Sequence, residues 1–185
     1  MLARLEKELP ANLSYHGHFH TKDVLTASMQ IAEAENISDQ EKMLLRIAAL
    51  FHDSGFIYVY RDHEARGCLL AKEILPGFGV SDQDIETICG MIMATKVPQA
   101  PNNKLERIIC DADLDYLGRD DFYPIGRTLY REFLEYGIIH NEEEWNRLQV
   151  KFLENHHYHT SYSRQNRDPF KQKHLEEIKK VVATY

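Results

Sequence analysis

Histidine is concentrated in two short stretches of this 185-residue sequence. Ten histidines occur, three of them within His16–His20 and three more within His156–His159. Histidine is the commonest protein ligand of transition metals and a frequent acid or base near neutral pH. The two clusters therefore indicate metal binding or proton transfer as the chemistry to look for.

An adjacent pair, His52-Asp53, follows the apolar segment Ala48–Phe51. A carboxylate buried there without a partner would cost several kcal/mol. A cation held between an imidazole nitrogen and a carboxylate oxygen removes that cost, and both atoms suit a divalent transition metal. Taken alone, the pair is more typical of an exposed helix end, so the metal interpretation depends on further ligands.

His20 is the upstream residue that best extends this pair. It shares a helical line with Val24 and Ile31, so its side chain points with the core-facing side. His16 and His18 compete with it, because an extended strip would place all three histidines on one face. We predict His20 as a metal ligand and His16 as a neighbouring or substrate-contacting side chain.

Three alternating carboxylates, Asp111, Asp113 and Asp115, provide the remaining candidates. They belong to a predicted helix whose apolar stripe is centred near Leu105 and Ile109. At about 100° per residue, Asp111 points away from that stripe and is expected to face solvent or to cap a neighbouring segment. Asp113 and Asp115 flank the stripe, each about 80° from Leu105, so helical geometry admits either as a ligand.

A His, a His-Asp pair and a distant Asp, in this order on helices, resemble the HD-domain metal-dependent phosphohydrolases. The matching segments are 15–21, 48–55 and 111–118, which together span most of the chain. The family pattern places its last ligand in an Ala-Asp pair, and this favours Asp113 over Asp111. The resemblance implies one or two divalent ions, with Mn, Fe, Mg, Zn, Ni and Co as candidates. The implied ligands are His20, His52, Asp53 and Asp113.

The subclass within that family does not follow from the motifs. Members that hydrolyse nucleoside monophosphates carry a Glu shortly after the His-Asp pair, where Ser54–Phe56 stands here. Alarmone hydrolases carry a Glu-Asp pair in that neighbourhood, and cyclic-dinucleotide phosphodiesterases carry a His-His-Glu element where Ala94–Lys96 stands. His63-Glu64 resembles the extra histidine of binuclear or substrate-binding HD sites. We expect a phosphate ester as substrate, with a nucleotide or cyclic nucleotide as the favoured class.

The resemblance also implies roles for individual side chains. Asp53 is expected to orient the attacking water as well as to bind metal, and His63 to transfer a proton or contact the phosphate. His16, Lys96 and Arg119 are the predicted substrate contacts. Ordinary helix-end positions are the alternatives for His63 and Lys96. Two other functions remain open, a di-iron oxygenase on the same scaffold and a non-catalytic signalling module.

Helix signals recur along the whole chain, and strand signals are almost absent. Ser38 with Glu41 forms a capping box, Gly55 is expected to end the helix that carries His52, and Asp168-Pro169 opens the last helix. We predict an all-α, single-domain bundle of the HD type with about eight helices. It covers residues 1–185, with the motif core near 15–120 completed by C-terminal helices. The segment 156–167 is expected to be irregular, either a solvated loop or a flap over the site.

Composition limits the partners. The net charge is −7, and this acidic balance argues against a broad nucleic-acid or anionic-membrane surface. A bound metal can still attract a small phosphorylated substrate. No segment has the apolar length needed to cross a bilayer, and Met1–Pro10 lacks the apolar region of a signal peptide. We expect a cytoplasmic protein with three buried thiols, no redox pair and no membrane partner, and a homodimer remains open.

Overall fold

The computed structural model describes residues 1–185 and contains ten α-helices, three 3-10 turns and no β-strand. The all-α prediction is therefore confirmed. The helices are α1 Leu2–Glu8, α2 His18–Ala34, α3 Asp39–Phe51, α4 His63–Ile74, α5 Asp82–Ala94, α6 Lys104–Asp113, α7 Phe122–Glu135, α8 Glu142–Asn155, α9 Ser161–Asn166 and α10 Asp168–Val182. The 3-10 turns are Ser54–Ile57, Leu75–Phe78 and Asp115–Gly118.

Helices α2 to α6 enclose the larger of two apolar cores. Ile31 on α2, Leu45 on α3, Ile88 on α5 and Ile109 on α6 are completely buried in it. Burying an aliphatic side chain of this size contributes about 1.5–3 kcal/mol relative to leaving it exposed. This core holds the three helices that carry the predicted metal ligands in a defined mutual position.

The start of α3 follows the local sequence closely. The Ser38 side chain accepts a hydrogen bond from the Glu41 backbone N–H at 3.3 Å, and the Glu41 carboxylate accepts one from the Ser38 N–H at 2.8 Å. The predicted capping box is confirmed, and it satisfies two N–H groups that the first helical turn would leave without partners. It therefore defines where the helix leading to His52 begins.

A second, smaller core joins the 3-10 turn Asp115–Gly118 to α7, α8 and α10. Leu117, Phe122, Leu153 and Leu175 are four of its eight buried members. Helix α8 packs along α10, whereas α7 rests mainly on the 3-10 turn. The single-domain interpretation stays a prediction, and the C-terminal helices lie against the motif core through this turn.

Glycine allows a close approach directly beside the His-Asp pair. A Cβ added to Gly55 would lie 1.9 Å from the His63 carbonyl oxygen, so no larger residue fits there. Helix α3 ends earlier than expected, at Phe51, and Gly55 lies inside the following 3-10 turn Ser54–Ile57. The close contact brings the start of α4, and with it His63, next to Asp53.

The segment 156–167 differs from the irregular loop expected from sequence. His156 is buried, and α9 occupies most of the second half of the segment. Asp111 is completely buried and accepts hydrogen bonds from the His159 N–H (2.8 Å), the Thr160 N–H (2.8 Å) and the Thr160 hydroxyl (2.7 Å). Of the two expectations for Asp111, capping is confirmed and solvent exposure is wrong. The loop is buried because this carboxylate provides the acceptors that its backbone requires.

The three cysteines, Cys68, Cys89 and Cys110, are free and buried, as expected from their apolar neighbours. Burial raises the pKa of the Cys68 thiol to about 12, so this group stays protonated near neutral pH. No helix combines the length and apolarity needed to span a membrane.

Candidate metal centre

Three separate elements bring His20, His52 and Asp113 together. His20 lies in the first turn of α2, His52 directly follows α3, and Asp113 is the last residue of α6. The Asp113 Oδ1 atom lies 3.0 Å from His20 Nε2 and 3.5 Å from His52 Nε2, and the two Nε2 atoms are 3.3 Å apart. Ligands bonded at 2.0–2.2 Å to one ion lie about 3.0–3.5 Å from their neighbours. The spacing of these three atoms therefore fits a shared divalent ion.

Asp53 approaches the same point from the 3-10 turn side. Its Oδ2 atom lies 3.2 Å from His52 Nε2 and 3.5 Å from His20 Nε2. This oxygen is buried and has no hydrogen-bond partner. A buried carboxylate oxygen without a partner is costly, and a cation among the four side chains would remove the cost. We refer to His20, His52, Asp53 and Asp113 as the His/Asp cluster.

The tautomer of His52 suits metal binding. Its Nδ1 lies 2.9 Å from the Ala49 carbonyl oxygen, which can only accept a hydrogen bond. In the neutral imidazole, the form that binds a metal, Nδ1 therefore carries the proton and the lone pair of Nε2 points into the His/Asp cluster. A backbone carbonyl that orients a ligating imidazole in this way is a common feature of metal sites.

His63 opens α4 at the edge of the cluster. Its Nε2 lies 3.4 Å from the second oxygen of Asp53 and 3.5 Å from Glu64 Oε1. Burial by itself would lower the pKa of His63, but the hydrogen bond with Asp53 raises it above the ordinary value. The Phe56 ring stacks on His63 at 3.8 Å and on His16 at 4.5 Å between ring centroids. Phe56 thus holds two imidazoles beside the cluster.

His16 is fixed by a carboxylate from the C-terminal half of the chain. Its Nδ1 pairs with Glu132 of α7, a side chain with no exposed surface. Glu132 also accepts the Tyr15 N–H (2.8 Å), the His16 N–H (3.0 Å) and the Tyr60 hydroxyl (3.2 Å). Burial opposes ionisation of Glu132, but the His16 contact and the two N–H donors lower its pKa. His16 Nε2 is left without a protein partner.

A cavity of about 660 Å³ opens onto the His/Asp cluster. Asp53, Asp113, His63 and His16 line its polar end. A cavity of this size is in the ordinary range for small-molecule sites. The four residues thus face a space in which a substrate could reach them.

The motif segments and the arrangement they form can be compared with known families. A family model of the HD domain matches residues 18–115, more than half of the chain. The chain belongs to the HD domain family. The resemblance inferred from the motifs is thereby confirmed, together with membership of a superfamily of metal-dependent hydrolases. No curated protein matches the chain at a significant level.

The electrostatics of this HD domain favour anionic carboxylates in the His/Asp cluster. Burial by itself would lower the pKa of His52, but Asp53 and Asp113 raise it well above the ordinary value. Burial likewise opposes ionisation of Asp113, and the hydrogen bonds with His20 and His52 nevertheless lower its pKa to about 2. The charge of His52 holds the pKa of Asp53 well below its usual range against the effect of burial. A carboxylate must be deprotonated to bind a metal, and Asp53 and Asp113 are both deprotonated at neutral pH.

Two cations line the cavity. Lys96 lies two residues beyond the end of α5, and its Nζ is 2.6 Å from Asp62 Oδ1. Arg61 also lines the cavity. The sequence does not point to Arg61 or to Glu132, because neither belongs to a motif. The sequence contains one weak indication that Glu132 is functional: it is a charged residue directly before Phe133 in the apolar pattern of α7.

Arg119 and Asp115 lie elsewhere. Arg119 does not line the cavity, and its guanidinium donates to Asp23 (2.9 Å), Asp121 (2.8 Å) and Asp115 (3.4 Å). The structure therefore does not bring Arg119 to the predicted substrate site. Asp115 is buried and accepts a 2.7 Å hydrogen bond from Arg167, which links the 3-10 turn to α10. Asp113, not Asp115, is the carboxylate that meets the histidines.

Proposed function

We propose that this HD domain is a metal-dependent phosphohydrolase whose metal ligands are His20, His52, Asp53 and Asp113. The observation that carries the proposal is the buried Asp53 oxygen, which lacks a hydrogen bond and lies within 3.5 Å of both imidazoles at the end of a cavity. When bound, a divalent ion supplies Lewis-acid polarisation of a phosphoryl oxygen and activation of water near neutral pH.

Residues of the chain would then provide proton transfer, positive charge for the phosphate and a further contact from His16. His63 lies beside the second oxygen of Asp53, where it can take a proton from the attacking water or return one to the leaving group. Lys96 and Arg61 provide positive charge for the non-bridging phosphate oxygens. His16 contributes Nε2 toward the cavity, with its ring orientation fixed by Glu132.

A di-iron oxygenase is the second candidate, favoured by one specific observation. His63 Nε2 lies within 3.5 Å of oxygens from both Asp53 and Glu64, so a second ion has ligands beside the first. A binuclear phosphohydrolase uses the same arrangement, and we propose hydrolysis first. A non-catalytic module is disfavoured because it has no need of a complete ligand set beside an open cavity.

We also propose a small phosphorylated substrate and a cytoplasmic protein that binds neither nucleic acid nor membrane. The net charge of −7 is the basis for excluding nucleic acid and anionic membranes as partners, since both bind proteins with clustered Lys and Arg. A nucleotide or cyclic nucleotide stays the class implied by the sequence resemblance. A homodimer remains compatible with these features.

Metal analysis combined with a phosphatase screen tests the proposal. Asp53→Ala should lose bound metal, and with it more than about 100-fold of the hydrolytic rate, because removing even a residue that only supports a ligand costs 10–100-fold. Asp120→Ala, an exposed carboxylate outside the cluster, is the control and should retain both. An Asp53→Ala protein with full activity would end the metallohydrolase proposal, and oxygen consumption without hydrolysis would favour the oxygenase.

A further inference from the structure

The cavity continues from the His/Asp cluster into a space between α7 and α8. Eight of its lining side chains belong to these two helices, and seven of the eight are apolar or aromatic. We call this part the apolar chamber. Its main lining residues are Leu117, Leu129, Phe133, Leu148, Phe152 and Leu153.

The two helices do not close on each other. Helix α7 rests on the 3-10 turn, α8 packs along α10, and between them Trp145 reaches Phe133 with ring centroids 5.9 Å apart. Leu129, Phe133 and Phe152 keep part of their surface open instead of packing fully in the core. A concave apolar surface that remains open beside a polar centre is typical of a ligand site.

We propose that the apolar chamber binds a hydrocarbon chain of the substrate, so that the phosphate ester is an amphiphile with its phosphate at the His/Asp cluster. This inference rests on the proposed function and specifies its substrate class. The polar lining residues are concentrated around the cluster, and the chamber offers one amide, Gln149, on α7 and α8. The Gln149 Nε2 already donates to Asn146 at 3.2 Å.

A nucleobase fits the chamber poorly because the chamber lining has so few polar groups. Its edge carries several hydrogen-bond donors and acceptors, and each buried group without a partner weakens binding. A hydrocarbon chain has no such groups and gains affinity from every methylene removed from water. The lining therefore favours an alkyl or similar apolar tail over a base.

Binding of n-alkylphosphonates tests this directly, because they carry a phosphate-like head group and cannot be hydrolysed at the C–P bond. Calorimetry on the metal-loaded protein, below the aggregation concentration of each ligand, should show affinity rising about three- to fourfold per added methylene, the equivalent of about 0.8 kcal/mol. Affinity that does not depend on chain length, or a nucleoside phosphonate that binds more tightly than decylphosphonate, would overturn the proposal.

Two leucines of equal exposure provide matched variants. Leu148 lines the chamber and is 36% exposed, whereas Leu134 is 37% exposed and does not line it. Leu148→Trp should weaken decylphosphonate binding about tenfold, the loss of roughly two buried methylenes, and leave ethylphosphonate binding unchanged. Leu134→Trp should change neither. Equal effects of the two substitutions on decylphosphonate would place the alkyl chain outside the chamber and refute the assignment.

Failure of this proposal is distinguishable from failure of the proposed function. Chain-length-dependent binding without hydrolysis of any phosphate ester would support alkyl binding in the chamber and contradict the phosphohydrolase proposal. Hydrolysis of short esters, without any gain in affinity from longer chains, would support the phosphohydrolase proposal and contradict alkyl binding in the chamber.

Discussion

Replacing Glu132 by Gln tests whether this buried carboxylate positions His16. The substitution preserves the shape of the side chain and removes its charge. Glu132 accepts four hydrogen bonds, from the Tyr15 and His16 N–H groups, the His16 ring and the Tyr60 hydroxyl. A glutamine can still accept from the backbone, but its NH₂ group cannot accept the proton of His16 Nδ1. The ring would then lose its partner or change its tautomer.

The expected loss follows from that one contact. A hydrogen bond to a charged group contributes about 1.5–3 kcal/mol, so the free energy of unfolding should fall by about that amount at neutral pH. The pKa of Glu132 is lowered in the folded protein, so its stabilisation is present above the ordinary carboxyl pKa and is lost as the pH falls. The difference between wild type and Glu132→Gln should therefore shrink below about pH 4.3.

Urea unfolding and steady-state kinetics together provide the assay. We expect kcat/KM to fall about 10- to 100-fold, by analogy with the removal of a side chain that orients a metal-bound imidazole. Glu135→Gln, an exposed carboxylate on the same helix, is the control. If Glu132 acts through His16, the double variant Glu132→Gln/His16→Phe should be no slower than His16→Phe alone. Losses in kcat/KM that simply add in the double variant would refute the positioning role.

Three further predictions concern other residues. Lys96→Ala should retain metal and lose about 10- to 100-fold of the rate through the missing phosphate contact, with only a small loss of stability from its exposed pair with Asp62. Asp62→Asn should lose the same stability but keep the rate, and equal rates in both variants would make Lys96 an ordinary helix-end lysine. Burial, followed by the Lys171 ammonium, lowers the pKa of His156 to about 3, so the folded state excludes a proton that the unfolded state binds below about pH 6.5. Stability should therefore decline from pH 6.5 toward pH 3 by up to about 1.4 kcal/mol per unit, and a His156→Phe protein with the same acid profile in urea titrations would contradict this. Asp111→Ala should cost about 1–3 kcal/mol by leaving the buried Thr160 N–H without an acceptor, and an unchanged urea midpoint would disprove it.

Local sequence determined the helices and much of the motif. The capping box at Ser38 depends on two residues three positions apart, so its geometry is already present in a short segment. Helical periodicity likewise oriented His20 toward the core before any tertiary contact was known. The ordered motif residues then sufficed to indicate the HD domain.

Tertiary structure decided which carboxylate meets the histidines and what the others do. Helical geometry left Asp113 and Asp115 equivalent, each about 80° from the apolar stripe. The family pattern implied Asp113, and the packing of α6 against α2 and the later helices shows the physical reason, because it places Asp113 at His20 and Asp115 at Arg167.

The same physical reason accounts for the residues that no motif revealed. Glu132 reaches His16 across 116 positions of sequence, and Asp111 supports Thr160 across 49. Such contacts form when separate helices pack together, and the sequence of one helix does not indicate which other helices it packs against. The sequence thus determined which side chains could do chemistry, and packing determined which of them face one another.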